Sequence, residues 1–188
     1  MTGIDQLTAG LAARAAREGL VDVAYAEMDS PVGPLLAAAT SAGLVRLAYE
    51  ARTPRDEVLE RLAARVSPRV LGAPARLDDV RRQLDEYFDG RRTDFAVPVD
   101  LRMVGGTFGR RVLEQAREIP FGASLSYSEI AARAGSPRGA RAAGNALGAN
   151  PVPIVVPCHR VRHGDGGLGG YTGGLAIKRA LLAIETGD

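Results

Sequence analysis

Ser126-Tyr-Ser-Glu-Ile-Ala-Ala-Arg-Ala-Gly-Ser-Pro-Arg-Gly-Ala-Arg-Ala-Ala-Gly-Asn-Ala-Leu-Gly148 decides how the second half of the chain folds. Ser126 with Glu129 three residues later is a capping box, so a helix runs from Tyr127 to Ala134 and stops at Gly135. Ser136 and Pro137 start a second helix that runs to about Leu147. Two short helices joined by so tight a connection read as a helix-turn-helix. The second helix is unusual for a base-reading element, because its face is nearly all Ala and Gly with a single arginine, Arg141. Small residues suit a helix packed closely on a neighbour, and they equally suit one that enters a narrow minor groove and inserts one side chain.

Downstream, Asn150-Pro-Val-Pro-Ile-Val-Val-Pro-Cys-His-Arg-Val161 holds the only cysteine and one of the two histidines. Ile154 to Pro157 reads as a short buried strand that delivers Cys158 at its end. Pro151, Pro153 and Pro157 fix φ and remove donors, which stiffens the approach. On a strand, Cys158 and His159 would point to opposite faces, so contact between them needs a turn or a bridging water. Next, residues 163–174 carry seven glycines in twelve positions. This loop allows close approach of backbone to a ligand, but no Gly-Lys-Ser/Thr follows and a P-loop is disfavoured. Leu175 to Glu185 forms a final helix, whose terminal glutamate opposes the helix dipole unless a partner satisfies it.

Upstream, a short amphipathic helix is expected over residues 4–17. A three-strand meander follows, from Val21, Leu35–Ala39 and Leu44–Tyr49. Thr53 caps a helix over residues 54–66 with Pro54 at its first position. Another helix carries Leu77, Val80, Leu84 and Tyr87/Phe88 and ends at Gly90. Phe95, Val97, Val99 and Leu101 then alternate as an extended segment, with Met103 to Gly106 as linker. Thr107 caps a helix that turns Phe108, Val112, Ala116 and Ile119 inward. The fold class is α+β. Residues 1–104 form a small α/β domain with an antiparallel sheet plus helices; residues 105–188 form a mainly helical domain with a winged helix-turn-helix-like element.

With 188 residues and 46% hydrophobic content, the chain can bury a sizeable core. It has no apolar run long enough for a membrane span and no signal-peptide pattern, so a soluble, cytoplasmic protein is expected. One cysteine and two histidines are a poor supply for a zinc site, so neither metal nor cofactor is expected. Net charge is only +2, yet residues 105–188 hold ten basic against six acidic side chains while residues 1–104 hold fourteen against sixteen. The basic excess accompanies the cysteine.

Pro157-Cys-His-Arg160, with Asn150-Pro-Val-Pro153 before it and Gly170-Tyr-Thr-Gly-Gly174 after it, resembles the signature of the O6-alkylguanine-DNA alkyltransferases. The similarity extends from about Phe108 to Glu185 and more weakly to Ser30–Pro34. The resemblance implies direct-reversal DNA repair: an alkyl group passes irreversibly from O6 of a flipped-out guanine to Cys158, and O4 of alkylthymine is an open second target. Each molecule would act once, because the thioether cannot be hydrolysed by its neighbours. In that frame Cys158, a water, His159 and Glu185 form a relay, and Tyr127 protonates the leaving guanine. Asn150 orients the turn before the cysteine. Arg141 fills the gap left by the extruded base, with Ser136, Ala142 and Gly144 along the same DNA-facing element. The Thr172 N–H faces O6 and the Val161 carbonyl faces the exocyclic amine, in a pocket completed by Tyr171, Gly173, Pro153 and Val156. The implied partner is double-stranded DNA held through its minor groove by a monomer, with cooperative assembly on DNA left open.

Four positions depart from the family pattern: Gly109, Leu113 and Ala123 touch packing, and Thr172 stands for serine. A lesion-binding regulator that flips the base without reacting is the alternative, against which the intact Cys158, His159 and Glu185 argue. A cysteine hydrolase would have no use for the helix-turn-helix.

Overall fold

The computed structural model describes Arg14 and residues 19–187. The helix expected over residues 4–17 therefore lies outside the described residues apart from Arg14. The chain divides into two compact units: one comprises the chain up to Asp85 with Val97–Met103, the other Glu86–Ala96 with the chain from Val104 onward. A linear division at residue 104 leaves the Glu86–Ala96 segment on the other side.

In the first unit, β1 (Val23–Met28), β2 (Leu35–Thr40) and β3 (Gly43–Tyr49) form the expected antiparallel meander. A three-residue strand, β4 (Val70–Gly72), adds parallel to β1 and gives the order β3-β2-β1-β4. Central β2 is apolar at consecutive positions, Leu35 to Ala38, because both of its faces are covered. On one face Leu36 and Ala38 join Val23 and Val45 against Val58 and Leu62 of α1 (Arg55–Arg65). On the other, a 3-10 turn at Pro74–Leu77 packs on β1 and β2 and leads into α2 (Asp78–Phe88). Each large side chain so buried contributes roughly 1.5–3 kcal/mol. The α1 cap differs from expectation, since Pro54 holds the N-cap position and no side chain bonds to it.

The segment expected as a strand near residues 95–101 stays out of the sheet except at one parallel bridge, Leu44 to Val99. Leu44 N–H donates to the Pro98 carbonyl at 2.8 Å and Asp100 N–H to the Leu44 carbonyl at 2.9 Å. Gly43 makes this possible, because a Cβ there would stand 2.3 Å from the Pro98 carbonyl oxygen.

The second unit is helical: α3 (Thr107–Arg117), α4 (Tyr127–Arg133), α5 (Ala140–Gly148) and α6 (Leu175–Thr186). The Ser126/Glu129 capping box forms in both directions. Helix α5 starts later than the sequence suggests, because Ser136 to Gly139 closes as a turn with a 2.8 Å backbone bond before the helix begins. Thr107 likewise does not cap α3; Gly106 does, at φ 72°. Val112, Leu113 and Ala116 of α3 meet Ile130, Ala143 and Leu147 in the interior, so α3 backs the α4–α5 pair. Beyond them, β5 (Leu125–Ser126) pairs in parallel with β6 (Val161–Arg162).

Candidate active site

The approach to the cysteine is a compact turn rather than the strand expected over Ile154–Pro157. Val156 N–H bonds the Val152 carbonyl at 2.9 Å and Val155 N–H the Pro153 carbonyl at 3.0 Å. Ile154 takes φ 72°, a left-handed conformation that a β-branched residue adopts only where packing imposes it. Three prolines leave too few donors for a ladder, and chain reversal satisfies the rest locally. Cys158–Arg160 then forms a single 3-10 turn before β6. The geometry of opposite faces expected for Cys158 and His159 on a strand therefore does not apply.

Asn150 staples this turn from inside. Its Nδ2 donates to the Val156 carbonyl at 2.8 Å and to Cys158 Sγ at 3.1 Å, while its Oδ1 accepts from Val152 N–H at 3.0 Å. Cys158 is 4% exposed. Burial pushes its thiol up to about 11, against the pull of the Asn150 hydrogen bond and the Lys178 charge. At neutral pH the resting sulfur is thus a thiol that needs a base to react.

The base stands next to it. His159 is fully buried, and its Nε2 lies 2.7 Å from Glu185 Oε1. A carboxylate can only accept, so Nε2 carries the proton and Nδ1 keeps its lone pair. Nδ1 has no hydrogen-bond partner among the described residues. Burial lowers the imidazole pKa, partly offset by Glu185, so His159 is neutral and able to accept a proton. No hydrogen bond joins Cys158 and His159 directly among the described residues.

Glu185 is 6% exposed and heavily satisfied. Arg160 reaches it with Nε at 2.9 Å and Nη2 at 3.0 Å, Gly122 N–H donates at 3.2 Å, and Tyr87 Oη donates at 2.8 Å. Burial alone would raise its pKa, but the hydrogen bonds from His159 and Arg160 prevail and hold it near 2. Arg160 also donates Nη1 to the Ile119 carbonyl, which anchors the turn to the segment after α3.

Cys158 opens into a cavity of about 510 Å³. Tyr127, Arg141 and Gly144 line one side of it; Tyr171, Thr172 and His163 line the other. Tyr127 begins α4, and the Gly169 backbone comes so near that a Cβ there would sit 2.4 Å from the phenol oxygen. Burial raises the phenol pKa, and a Cys158 thiolate beside it raises it further, which keeps Tyr127 a proton donor. Arg141 is exposed on α5, and Thr172 Oγ1 donates to the Gly148 carbonyl at 3.2 Å, tying the glycine-rich loop to the end of that helix.

Other residues named from sequence stand behind this cavity or beside it. Asn150, His159, Glu185, Pro153, Val156, Val161 and Gly173 are buried without lining it, while Ser136 and Ala142 lie outside it on the helix-turn-helix. The Val161 carbonyl accepts a 2.6 Å bond from Lys178 Nζ, which also reaches the carbonyls of Leu168 and Gly170. Lys178 is fully buried, and burial draws its ammonium down to about 8. Sequence reasoning gives Lys178 and Tyr87 no part in the site. Lys178 is the only lysine of the chain, and with Leu181, Leu182 and Glu185 it follows the i, i+3, i+4, i+7 spacing of one buried helix stripe. No group of metal-ligating side chains occurs among the described residues, and none of their helices is long and apolar enough to cross a membrane.

Comparison with known proteins matches the chain to two profiles. One is the 6-O-methylguanine DNA methyltransferase DNA binding domain, over residues 107–187; the other is the ribonuclease-like domain of the same proteins, over residues 23–101. The methylated-DNA–protein-cysteine methyltransferase of Mycobacterium tuberculosis is 40% identical over 161 residues, covering 86% of this chain and 91% of the relative. That of Methanosarcina barkeri is 36% identical over 168 residues, covering 86% and 96%. The crystal structure of the Mycobacterium tuberculosis O6-methylguanine methyltransferase superposes with a TM-score of 0.76 at 39% identity, over 88% of this chain and 93% of that one. A structure from the same organism in complex with DNA gives 0.75 at 40% identity, over 87% and 93%.

Proposed function

The chain belongs to the 6-O-methylguanine DNA methyltransferase family, and from that premise we propose that it repairs O6-alkylated guanine in duplex DNA by moving the alkyl group onto Cys158. One observation carries the assignment of chemistry to residues: the lone cysteine forms the floor of a cavity whose wall is the second helix of the helix-turn-helix. Such a cavity accepts a base that has left the stack, at an unstacking cost of roughly a few kcal/mol.

The proton of Cys158 Sγ passes through one water to His159 Nδ1, whose other nitrogen is held by Glu185, and the imidazolium is stabilised by that carboxylate. Sulfur attacks the alkyl carbon, the S–C bond forms, and the C–O6 bond breaks with its electron pair going to the guanine. Tyr127 donates its proton to a ring nitrogen of the leaving base. The phenolate then recovers a proton from solvent or from the relay. The Thr172 N–H faces O6, and the Val161 carbonyl, which has a second lone pair beyond the one used by Lys178, meets the exocyclic amine. A thioether has no hydrolytic exit here, so one molecule carries out one transfer.

Arg141, exposed at the cavity rim on a helix of Ala and Gly, fills the space vacated in the duplex, with the helix lying in the minor groove. Arg141→Ala should weaken binding to alkylated duplex on the order of tenfold while reaction with the free alkylated base changes little. Equal losses in the two assays would remove Arg141 from that role.

The functional reading is tested by intact mass after mixing the protein with a duplex that carries one O6-methylguanine, then peptide mapping. Gain of one methyl group on Cys158, saturating at one per molecule, is the expected result. Binding of the same duplex with no mass change would point instead to a sensor that flips the lesion without reacting.

A further inference from the structure

We propose that Tyr87 is a positioning residue of the proton relay, setting the basicity of His159 through Glu185; the rate part of its test rests on the transfer reading above. Tyr87 precedes the DNA-binding profile match by twenty residues and falls inside the ribonuclease-like one, yet it belongs to the compact unit that holds Cys158. It is fully buried at the end of α2. Its ring is held by Phe88, Phe95 and Phe121, at centroid distances of 5.5, 5.4 and 6.1 Å. Those contacts aim the hydroxyl at the relay. Oη donates to Glu185 Oε1 at 2.8 Å and lies 3.5 Å from His159 Nε2.

The oxygen it reaches is the same one that His159 uses. Glu185 Oε1 thus takes Tyr87 Oη at 2.8 Å, His159 Nε2 at 2.7 Å, and Arg160 Nη2 and Nε at 3.0 and 3.1 Å. An sp² oxygen has two lone pairs, so these donors share its charge. Each takes some of the negative density that would otherwise bind the proton on His159 Nε2. The phenol therefore restrains Glu185, keeping the imidazole neutral and ready to receive a proton. Other charged groups around the relay are fixed points of the comparison: Arg160 on the same turn, Lys178 on α6, Arg117 and Glu118 at the end of α3, Arg92 paired with Glu86 beside Tyr87, and Asp94.

Tyr87→Phe removes the hydroxyl and keeps the ring in its aromatic nest. Glu185 then gives its charge more fully to His159, which becomes more basic. Two readouts follow, and they fail separately. In the first, the His159 imidazole is titrated by NMR in the intact protein, with His163→Gln in both samples so that a single histidine remains. The midpoint should be higher by about 0.5–1 pH unit in the sample that also carries Tyr87→Phe. In the second, single-turnover transfer from an O6-methylguanine duplex is followed from pH 5 to 9. Its acid limb should move up by the same amount, cutting the rate by about three- to tenfold at pH values well below the parent midpoint while the alkaline plateau changes less than about twofold. An unchanged titration midpoint, or a rate that falls equally at every pH in step with a lower melting temperature, would overturn the assignment of Tyr87. Absence of transfer in the parent protein would instead count against the functional reading and leave the titration to decide Tyr87.

Discussion

Serine in place of Cys158 is expected to lower transfer by at least about a thousandfold while leaving affinity for alkylated duplex within about twofold. The sulfur is already a reluctant anion, pushed up to about 11 by burial, and relies on one amide bond from Asn150 and the Lys178 charge. A serine hydroxyl in the same place has a far higher pKa and poorer nucleophilicity, so His159 cannot activate it usefully at neutral pH. The steric change is small, and the Asn150 Nδ2 donor keeps an acceptor. The walls that would hold the base, Tyr127, Gly144 and Arg141, come from other elements and are untouched. Single-turnover assay with a labelled methyl group, beside duplex titration under the same salt, separates the two effects. Label transferred at the parent rate, or found on another residue, would refute the nucleophile.

Local chemistry makes the helix-turn-helix legible in the sequence: a capping box announces its start and glycine its turn, and the first helix needs nothing distant to form. The meander is legible for the same reason, through short turns and apolar strands. The turn before Cys158 is not, because an apolar run bounded by prolines fits a buried strand equally well. What decides it is the side chain of Asn150, which replaces the missing ladder partners from six and eight residues away. Tyr87 is harder still. Its helix period reports only that it is buried, and nothing local marks a phenol bonded to a carboxylate 98 residues later. Lys178 and Glu185 show the opposite case, in which charged groups on an apolar helix stripe are a readable contradiction. Burial of either is tolerable only with partners, so the contradiction itself points to a site. Resemblance places Glu185 there, whereas the reading of the sequence leaves Lys178 out although its position on the stripe signals burial.

Glu185→Gln is expected to damage both rate and stability, and the pH dependence of each identifies the cause. In the folded chain this carboxyl titrates near 2 rather than near 4.5, so the fold binds its proton more weakly than the unfolded chain does. The corresponding stabilisation is fully present above the ordinary carboxylate range and is lost as pH falls from about 4.5 towards 2, at about 3 kcal/mol. Glutamine removes the charge but not its partners. Arg160, 4% exposed, is left as a buried cation, and the amide can turn only one acceptor towards donors that now include its own NH₂. Melting temperature at pH 7 should fall by roughly 6–12 °C. The variant should also lose the part of the acid-unfolding slope between pH 4.5 and 2 that the parent owes to this group. Without a carboxylate, the Nε2–H tautomer of His159 is no longer enforced, and Nδ1 ceases to be the reliable base, so transfer at pH 7 should drop about a hundredfold or more. Urea unfolding as a function of pH, paired with single-turnover rates on folded protein, tests both halves. An acid-unfolding slope equal to the parent's would show that Glu185 is not the group that carries it, and a parental rate would show that the relay does not need its third member.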